Sequence, residues 1–236
     1  MPNWTRATHD FATNLLSALL PQSCFVCGGP AGAQAVCADC FAEFPALSEG
    51  LCPVCALASP QGQICGACLR KKPGFDATHA LYPYEFPIRE LIHGLKFDAD
   101  FCVPRVFAVA LRETAKRCLA DCVVPVPVHP VRLAERGFNQ ALLLAKPVAQ
   151  SLGVPLFRDA LVKDRLSLAQ AGLAREERLR NLQGAFRAQR SFAGMRVLVV
   201  DDVMTSGATL CEMAVALRAA GAVRVENLVL ARTAAP

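Results

Sequence analysis

From about residue 77 onward, short aliphatic runs alternate with segments whose apolar positions recur every three or four residues. "THALYPYEF" reads as a strand. An amphipathic helix follows in "PIRELIHGLKF", with Pro87 at its start, and a second helix in "PRVFAVALRETAKRCL". "DCVVPVPVHP" is a short apolar strand entering a proline-rich loop. "NQALLLAKPVAQSLG" has a helical pattern that Pro147, lacking an N–H, is expected to kink or interrupt. "GVPLF" and "LVKDR" are short extended pieces. In "MRVLVVDD" the unbroken run Val197, Leu198, Val199 and Val200 predicts a central parallel strand covered on both faces. "TLCEMAVALRAAG" is a helix closed by Gly221, and "RVENLVLAR" another strand. Strand–helix alternation of this kind predicts an α/β fold, a doubly wound parallel sheet flanked by helices. Ligands in such sheets bind at the carboxyl ends of the strands.

The first third of the chain has a different pattern. Four C-x-x-C pairs stand at Cys24/Cys27, Cys37/Cys40, Cys52/Cys55 and Cys65/Cys68, and the set repeats with an offset of 28 residues (52 − 24). Two thiolates two residues apart grip one metal ion, and two such knuckles complete a tetrahedral four-cysteine zinc site. A redox motif of the thioredoxin type needs one pair in a βαβ setting, and disulfides do not suit a reducing compartment. Two structural zinc ions are therefore expected, with no coordination position left for catalysis. Equal spacings favour ligation in sequence order, and an interleaved pairing stays open. Cys102, Cys118, Cys122 and Cys211 read as ordinary buried small residues. Before the cysteines, Phe11, Leu15, Leu16 and Leu19 mark an amphipathic helix. The expected division is a helix over 1–23, a small Cys-rich zinc-ribbon module over 24–76 and an α/β domain over 77–236.

Charge refines this division. Residues 1–76 hold four Lys/Arg and five Asp/Glu; the remainder holds 21 and 15, so the positive excess of six lies in the larger domain. That suits an anionic ligand and falls short of a polybasic nucleic-acid arm. No apolar run reaches the roughly 20 residues of a membrane span, and no cleaved export signal is evident, so a cytoplasmic location is expected.

"VLVVDDVMTSGATL" concentrates the candidate chemistry. Asp201 and Asp202 end the central strand, and a small-residue turn leads into a helix. Backbone N–H groups and the helix dipole there favour a phosphate. Thr205, Ser206 and Thr209 add hydroxyls, Gly207 lets the backbone approach closely, and Ala208 completes the Thr205-to-Thr209 loop. Neither a G-x-x-x-x-G-K-[ST] loop nor a G-x-G-x-x-G fingerprint is present. Two acids that accept from a sugar diol, beside a loop that holds a phosphate, describe a site for a ribose 5-phosphate.

This stretch is similar to the phosphoribosyl diphosphate (PRPP) loop of type I phosphoribosyltransferases. "VVPVPVHPVRLAERGFNQA" and "YPYEFPIRELIHGLKF" resemble the ComF/GntX family of competence-associated proteins, which carries a cysteine zinc module before a phosphoribosyltransferase-like domain. The resemblance implies that Asp201 and Asp202 bind the ribose hydroxyls, that residues 205–209 bind the 5-phosphate, and that Mg2+ accompanies PRPP. It places a diphosphate loop at Val128 and His129, with Arg132, Arg136 and Lys96 as candidate cations; His129 is expected to position the loop. The segment between residues 163 and 195, rich in Arg and Gln, reads as an arm over the site or as a helical appendage paired through Glu176 and Arg180.

Three functions follow: a phosphoribosyltransferase without a protein nucleophile, a PRPP sensor, or a zinc scaffold. The resemblance also implies a role in DNA uptake during natural transformation. The partners it suggests are single-stranded DNA, a DNA-uptake helicase or other competence proteins, and a second copy of the chain.

Overall fold

The computed structural model describes residues 23–32, 35–97, 103–163 and 184–234. The expected N-terminal helix falls outside this set except for residue 23. Cys102, Glu176, Arg180 and most of the arm (164–183) are outside it too.

Four parallel strands make the central sheet: β1 (Ala77–Pro83), β2 (Cys122–Pro125), β5 (Arg196–Met204) and β6 (Arg224–Arg232), in the spatial order β1-β6-β5-β2. A separate antiparallel hairpin joins β3 (Leu161–Lys163) and β4 (Phe186–Ala188). The described helices are α1 (Ala38–Ala42), α2 (Gly66–Arg70), α3 (Ile88–Phe97), α4 (Val103–Ala115), α5 (Pro130–Arg136), α6 (Gln140–Leu152) and α7 (Ala208–Ala219).

The unbroken aliphatic run of β5 serves two cores, because successive side chains leave a strand on opposite faces. Leu198 and Val200 pack with Leu91, Ile92 and Leu95 of α3, Phe107 and Leu111 of α4, and Leu144 and Val148 of α6. Val197 and Val199 pack on the other face with Leu210, Met213 and Leu217 of α7 and with Leu161 and Phe186 of the hairpin. Each fully buried side chain of this size contributes about 1.5–3 kcal/mol of transfer free energy. Continuous apolar character is what a sheet covered on both sides requires. No helix among the described residues is long and apolar enough to cross a membrane.

Several local expectations change. α6 runs through Pro147 without a break from Gln140 to Leu152. Burial of Leu144, Ala145, Val148 and Ala149 against β2 and β5 outweighs the one helical hydrogen bond that proline removes. "GVPLF" adds only a single-residue parallel bridge between Leu156 and Val123. The proline-rich loop contains a two-turn helix, α5, and the end of the arm contains β4. β5 continues two residues beyond Asp202.

The duplication in the cysteine module is structural as well. The antiparallel bridge Ser23–Pro30 recurs as Leu51–Ala58, again 28 residues on, and α1 recurs as α2. The two copies enter different cores: Cys24 and Val36 join the α3/α4 side, whereas Cys52 and Cys55 join the α7 side.

Candidate functional site

The eight cysteines gather in sequence order. Cys24, Cys27, Cys37 and Cys40 form one group and Cys52, Cys55, Cys65 and Cys68 another, with the sulfurs of each within 4.8 Å of one another. The pairing left open by the spacings is therefore decided in favour of two separate four-cysteine clusters. In each, a knuckle N–H donates to a sulfur: Cys37 N to Cys24 Sγ and Cys65 N to Cys52 Sγ, both at 3.3 Å. Burial alone would raise these thiols. The N–H groups of Cys37, Cys27 and Val26 outweigh it and bring Cys24 down to about 6, and Cys65, Cys55 and Val54 bring Cys52 to about 7. One thiol of each cluster is thus held toward the thiolate by backbone donors. Cys40 is pushed up by the neighbouring sulfurs and by burial, and Cys55 and Cys68 by burial and by the neighbouring sulfurs. Four sulfurs gathered in this way fit Zn2+, whose charge deprotonates its ligands.

At the carboxyl end of the sheet, β2 and β5 part company. Their ladder ends at Pro125 opposite Val200, with one further bond from Val126 N to Val200 O. Beyond it β2 turns away while β5 continues, which opens a cleft of about 460 Å³. This is within the size range of small-molecule sites. The cleft brings together seven of the predicted residues: Lys96, Val128, His129, Arg132, Arg136, Asp201 and Asp202. The turn 205–209 is not among its lining residues and adjoins it through the last residues of β5.

The two acids leave β5 on opposite faces, and a lysine serves each. Lys96 Nζ, at the end of α3, lies 2.8 Å from Asp202 Oδ2. Asp201, on the hairpin side, accepts at 2.9 Å from the backbone N–H of Asp202 and has Lys163 of β3 in electrostatic reach. Burial, reinforced by the Asp202 carboxylate, pushes Asp201 up to about 7 against the pull of Lys96 and Lys163. Burial likewise lowers Lys163, opposed by Asp201.

Of the diphosphate candidates, His129 caps a helix: its Nδ1 accepts from Val131 N at 3.2 Å at the start of α5. The proton of the neutral ring is then on Nε2. Arg132 pairs with Glu135 at 3.0 Å on the exposed face of the same helix, an arrangement worth little in water. Arg136 is more enclosed; burial lowers it and the Asp202 charge supports it.

In the turn, Gly207 adopts φ +78°, which a side chain resists. Ser206 Oγ accepts from Ala208 N at 3.3 Å, and Thr205 is exposed. α7 begins at Ala208 directly after this left-handed residue.

Three polar lining residues were not singled out by sequence: Asn139, Gln140 and Lys163. Asn139 caps α6 through Leu142 N and donates to Val126 O at 3.0 Å, tying the helix start to the strand exit. An Asn before a helical run is a readable cap signal. Gln140 is 3% exposed, and its Nε2 is a buried donor without a partner among the described residues; only the tertiary fold reveals that. A further group, His79, Cys118 and Glu226, sits near the opposite end of the sheet. There Arg224 and His79 already engage both carboxylate oxygens of Glu226.

This architecture defines a class: a double zinc ribbon followed by a phosphoribosyltransferase-type α/β domain. Two family models match accordingly, the double zinc ribbon domain over residues 15–69 and the phosphoribosyl transferase domain over 139–236. The DNA utilization protein YhgH of Escherichia coli K12 is 32% identical over 224 residues, 91% of this chain and 98% of that one. Competence protein F of Haemophilus influenzae is 31% identical over 83% of this chain and 96% of its own length. Competence protein ComFC of Streptococcus pneumoniae is 31% identical over 84% and 87%. The chain belongs to the ComF family. Among solved structures, the glutamine PRPP amidotransferase of B. subtilis aligns with a TM-score of 0.38 and 23% identity, over 55% of this chain and 27% of that one.

Proposed function

We propose that the chain binds PRPP with Mg2+ in the cleft beyond β5 and acts, as a phosphoribosyltransferase-like protein, in the uptake or utilisation of DNA. The observation that carries this reading is the sequence of groups along one strand end. Two carboxylates, Asp201 and Asp202, stand between a cation-lined cleft and a left-handed turn opening a helix. An anion at each side of a diol-accepting pair matches a ribose with a 5-phosphate and a 1-diphosphate.

The residues divide the work. The α7 start supplies helix-dipole attraction for the 5-phosphate. Asp201 and Asp202 accept from the ribose hydroxyls, for which Asp201 must be ionised. Arg136, Arg132 and Lys96 meet the diphosphate, with His129 and Asn139 holding the loop that presents it. Mg2+, when bound, neutralises the diphosphate and makes it a better leaving group. Departure of diphosphate leaves an oxocarbenium-like carbon, so positioning and charge do the catalysis and no protein nucleophile is required. The part played in DNA metabolism is supported by the names of the relatives.

Calorimetry with PRPP and Mg2+ tests the reading: wild type binds, and Asp201→Asn/Asp202→Asn does not while keeping its fold. Normal binding by that variant would overturn the site. Diphosphate release with nucleobases, nucleotides or single-stranded DNA as acceptors then separates transfer from sensing, and a background rate with every acceptor assigns the site to sensing.

A further inference from the structure

We propose that Arg232 is a positioning residue that fastens the anion-binding turn to the second zinc cluster, so that zinc at Cys52, Cys55, Cys65 and Cys68 and a phosphate at residues 205–209 support each other's binding. This deepens the PRPP reading and rests on it for the identity of the anion, though not for the fastening itself.

Arg232 ends β6, opposite Met204 of β5 and Pro83 of β1 in the ladder. It is 5% exposed, and burying a guanidinium is costly unless its donors are used. Nε donates to the carbonyl of Cys55 at 2.9 Å, and Nη1 donates to the carbonyls of Met204 and Thr233 at 2.9 Å and of Thr205. One rigid fork therefore spans a zinc ligand's own peptide and the first two peptides leading into the turn. It also gathers carbonyl oxygens that would repel an anion and holds them on the guanidinium. A turn that binds phosphate through N–H groups needs its carbonyls directed elsewhere.

Two other ties run the same way. Thr78 N donates to Pro53 O at 3.1 Å, inside the second knuckle. The segment leaving that ribbon is bound to α7: Gly74 N donates to Cys211 Sγ at 3.3 Å, and Arg218 Nε donates to Gly74 O at 2.9 Å. Phe75, 2% exposed, lies behind Gly207, where an added Cβ would be 3.8 Å from its ring. The first ribbon packs on the α3/α4 side through Cys24 and Val36, on the other face of the sheet. Among the described residues, it is the second of the two similar zinc clusters that is bonded to the turn, and the coupling is reciprocal by linkage.

The test uses the full chain loaded with two zinc ions. Zinc release to a chromophoric chelator is followed with and without PRPP and Mg2+, alongside hydrogen exchange of the segments 24–40, 52–68 and 203–210. In wild type, PRPP slows release of one zinc and protects 52–68, leaving the other zinc and 24–40 unchanged. Arg232→Lys keeps the charge but loses the fork. Its 52–68 and 203–210 segments should exchange about tenfold faster or more, as expected for the loss of charged hydrogen bonds, with 24–40 unaltered. Equal protection of both zinc ions, or of neither while PRPP binds, overturns the proposal. So does an Arg232→Lys protein that matches wild type in both segments. Should PRPP fail to bind wild type, the ligand assignment falls and the ligand-free comparison still decides the fastening. Should Arg232→Lys fail to fold, the wild-type pattern of one protected zinc decides it.

Discussion

Lys96 Nζ lies 2.8 Å from Asp202 Oδ2, so the lysine pairs with one of the two carboxylates of the proposed ribose site. The pair is mostly enclosed, with side-chain exposures of 25% and 10%. Lys96→Met leaves Asp202 without that partner. The cost is about 1–2 kcal/mol, which lowers Tm by about 2–8 °C for a chain of this size. PRPP binding should weaken together with stability if the same lysine meets the diphosphate as proposed. Scanning calorimetry with PRPP titration on one preparation checks both effects.

Asp201 titrates in the opposite sense to an ordinary surface carboxylate. Its pKa is raised from 3.8 to about 7, chiefly by burial. The folded chain therefore keeps a proton that the unfolded chain has lost, and stability falls as pH rises through that window. Asp201→Asn removes this penalty. The variant should melt above wild type at pH 8 and close to it at pH 4, read from Tm against pH. PRPP affinity of wild type should rise as pH passes through about 7, where Asp201 ionises.

Gly207→Ala strains a backbone held at φ +78°, at a cost of about 1 kcal/mol. An added Cβ would also press on Met204 Cε at 2.6 Å, which the flexible methionine can relieve. The fold should survive with a small loss of Tm, while PRPP affinity drops by about tenfold or more as the turn shifts. A variant that binds as wild type would remove the turn from the site.

Gln140→Met replaces a buried amide, whose nitrogen is unpartnered among the described residues, with an apolar group of similar length. The buried nitrogen gives up no hydrogen bond among the described residues and its desolvation cost is relieved, so Tm should hold or rise. If the amide serves a ligand oxygen, PRPP affinity falls severalfold in the same protein. Calorimetry on the variant reads the two effects separately.

Much of the fold was legible because its elements are locally coded. Val197 to Val200 announce a doubly covered strand, and the 28-residue cysteine repeat announces two zinc ribbons. Pro147 does not interrupt α6, because its cost is local, whereas the packing that offsets it comes from β2 and β5. α5 was missed for a related reason. His129 and Pro130 start it with cap chemistry, but its seven residues are too few for periodicity to register.

The sequence by itself determined which groups are present and their order: paired acids at a strand end, a small-residue turn, and eight thiols in equal spacing. Those features depend on neighbours along the chain. Tertiary structure alone decided that Lys96 and Lys163 approach the acids from opposite faces of the sheet. It also decided that the Gln140 amide nitrogen is buried with no partner among the described residues, and that Arg232 joins the second zinc cluster to the turn. The Arg232 contacts link residues 27 and 177 positions apart, separations at which no local pattern constrains geometry. They exist because burying both faces of the sheet brings distant segments together, and a guanidinium enclosed there is stable only when its donors are used.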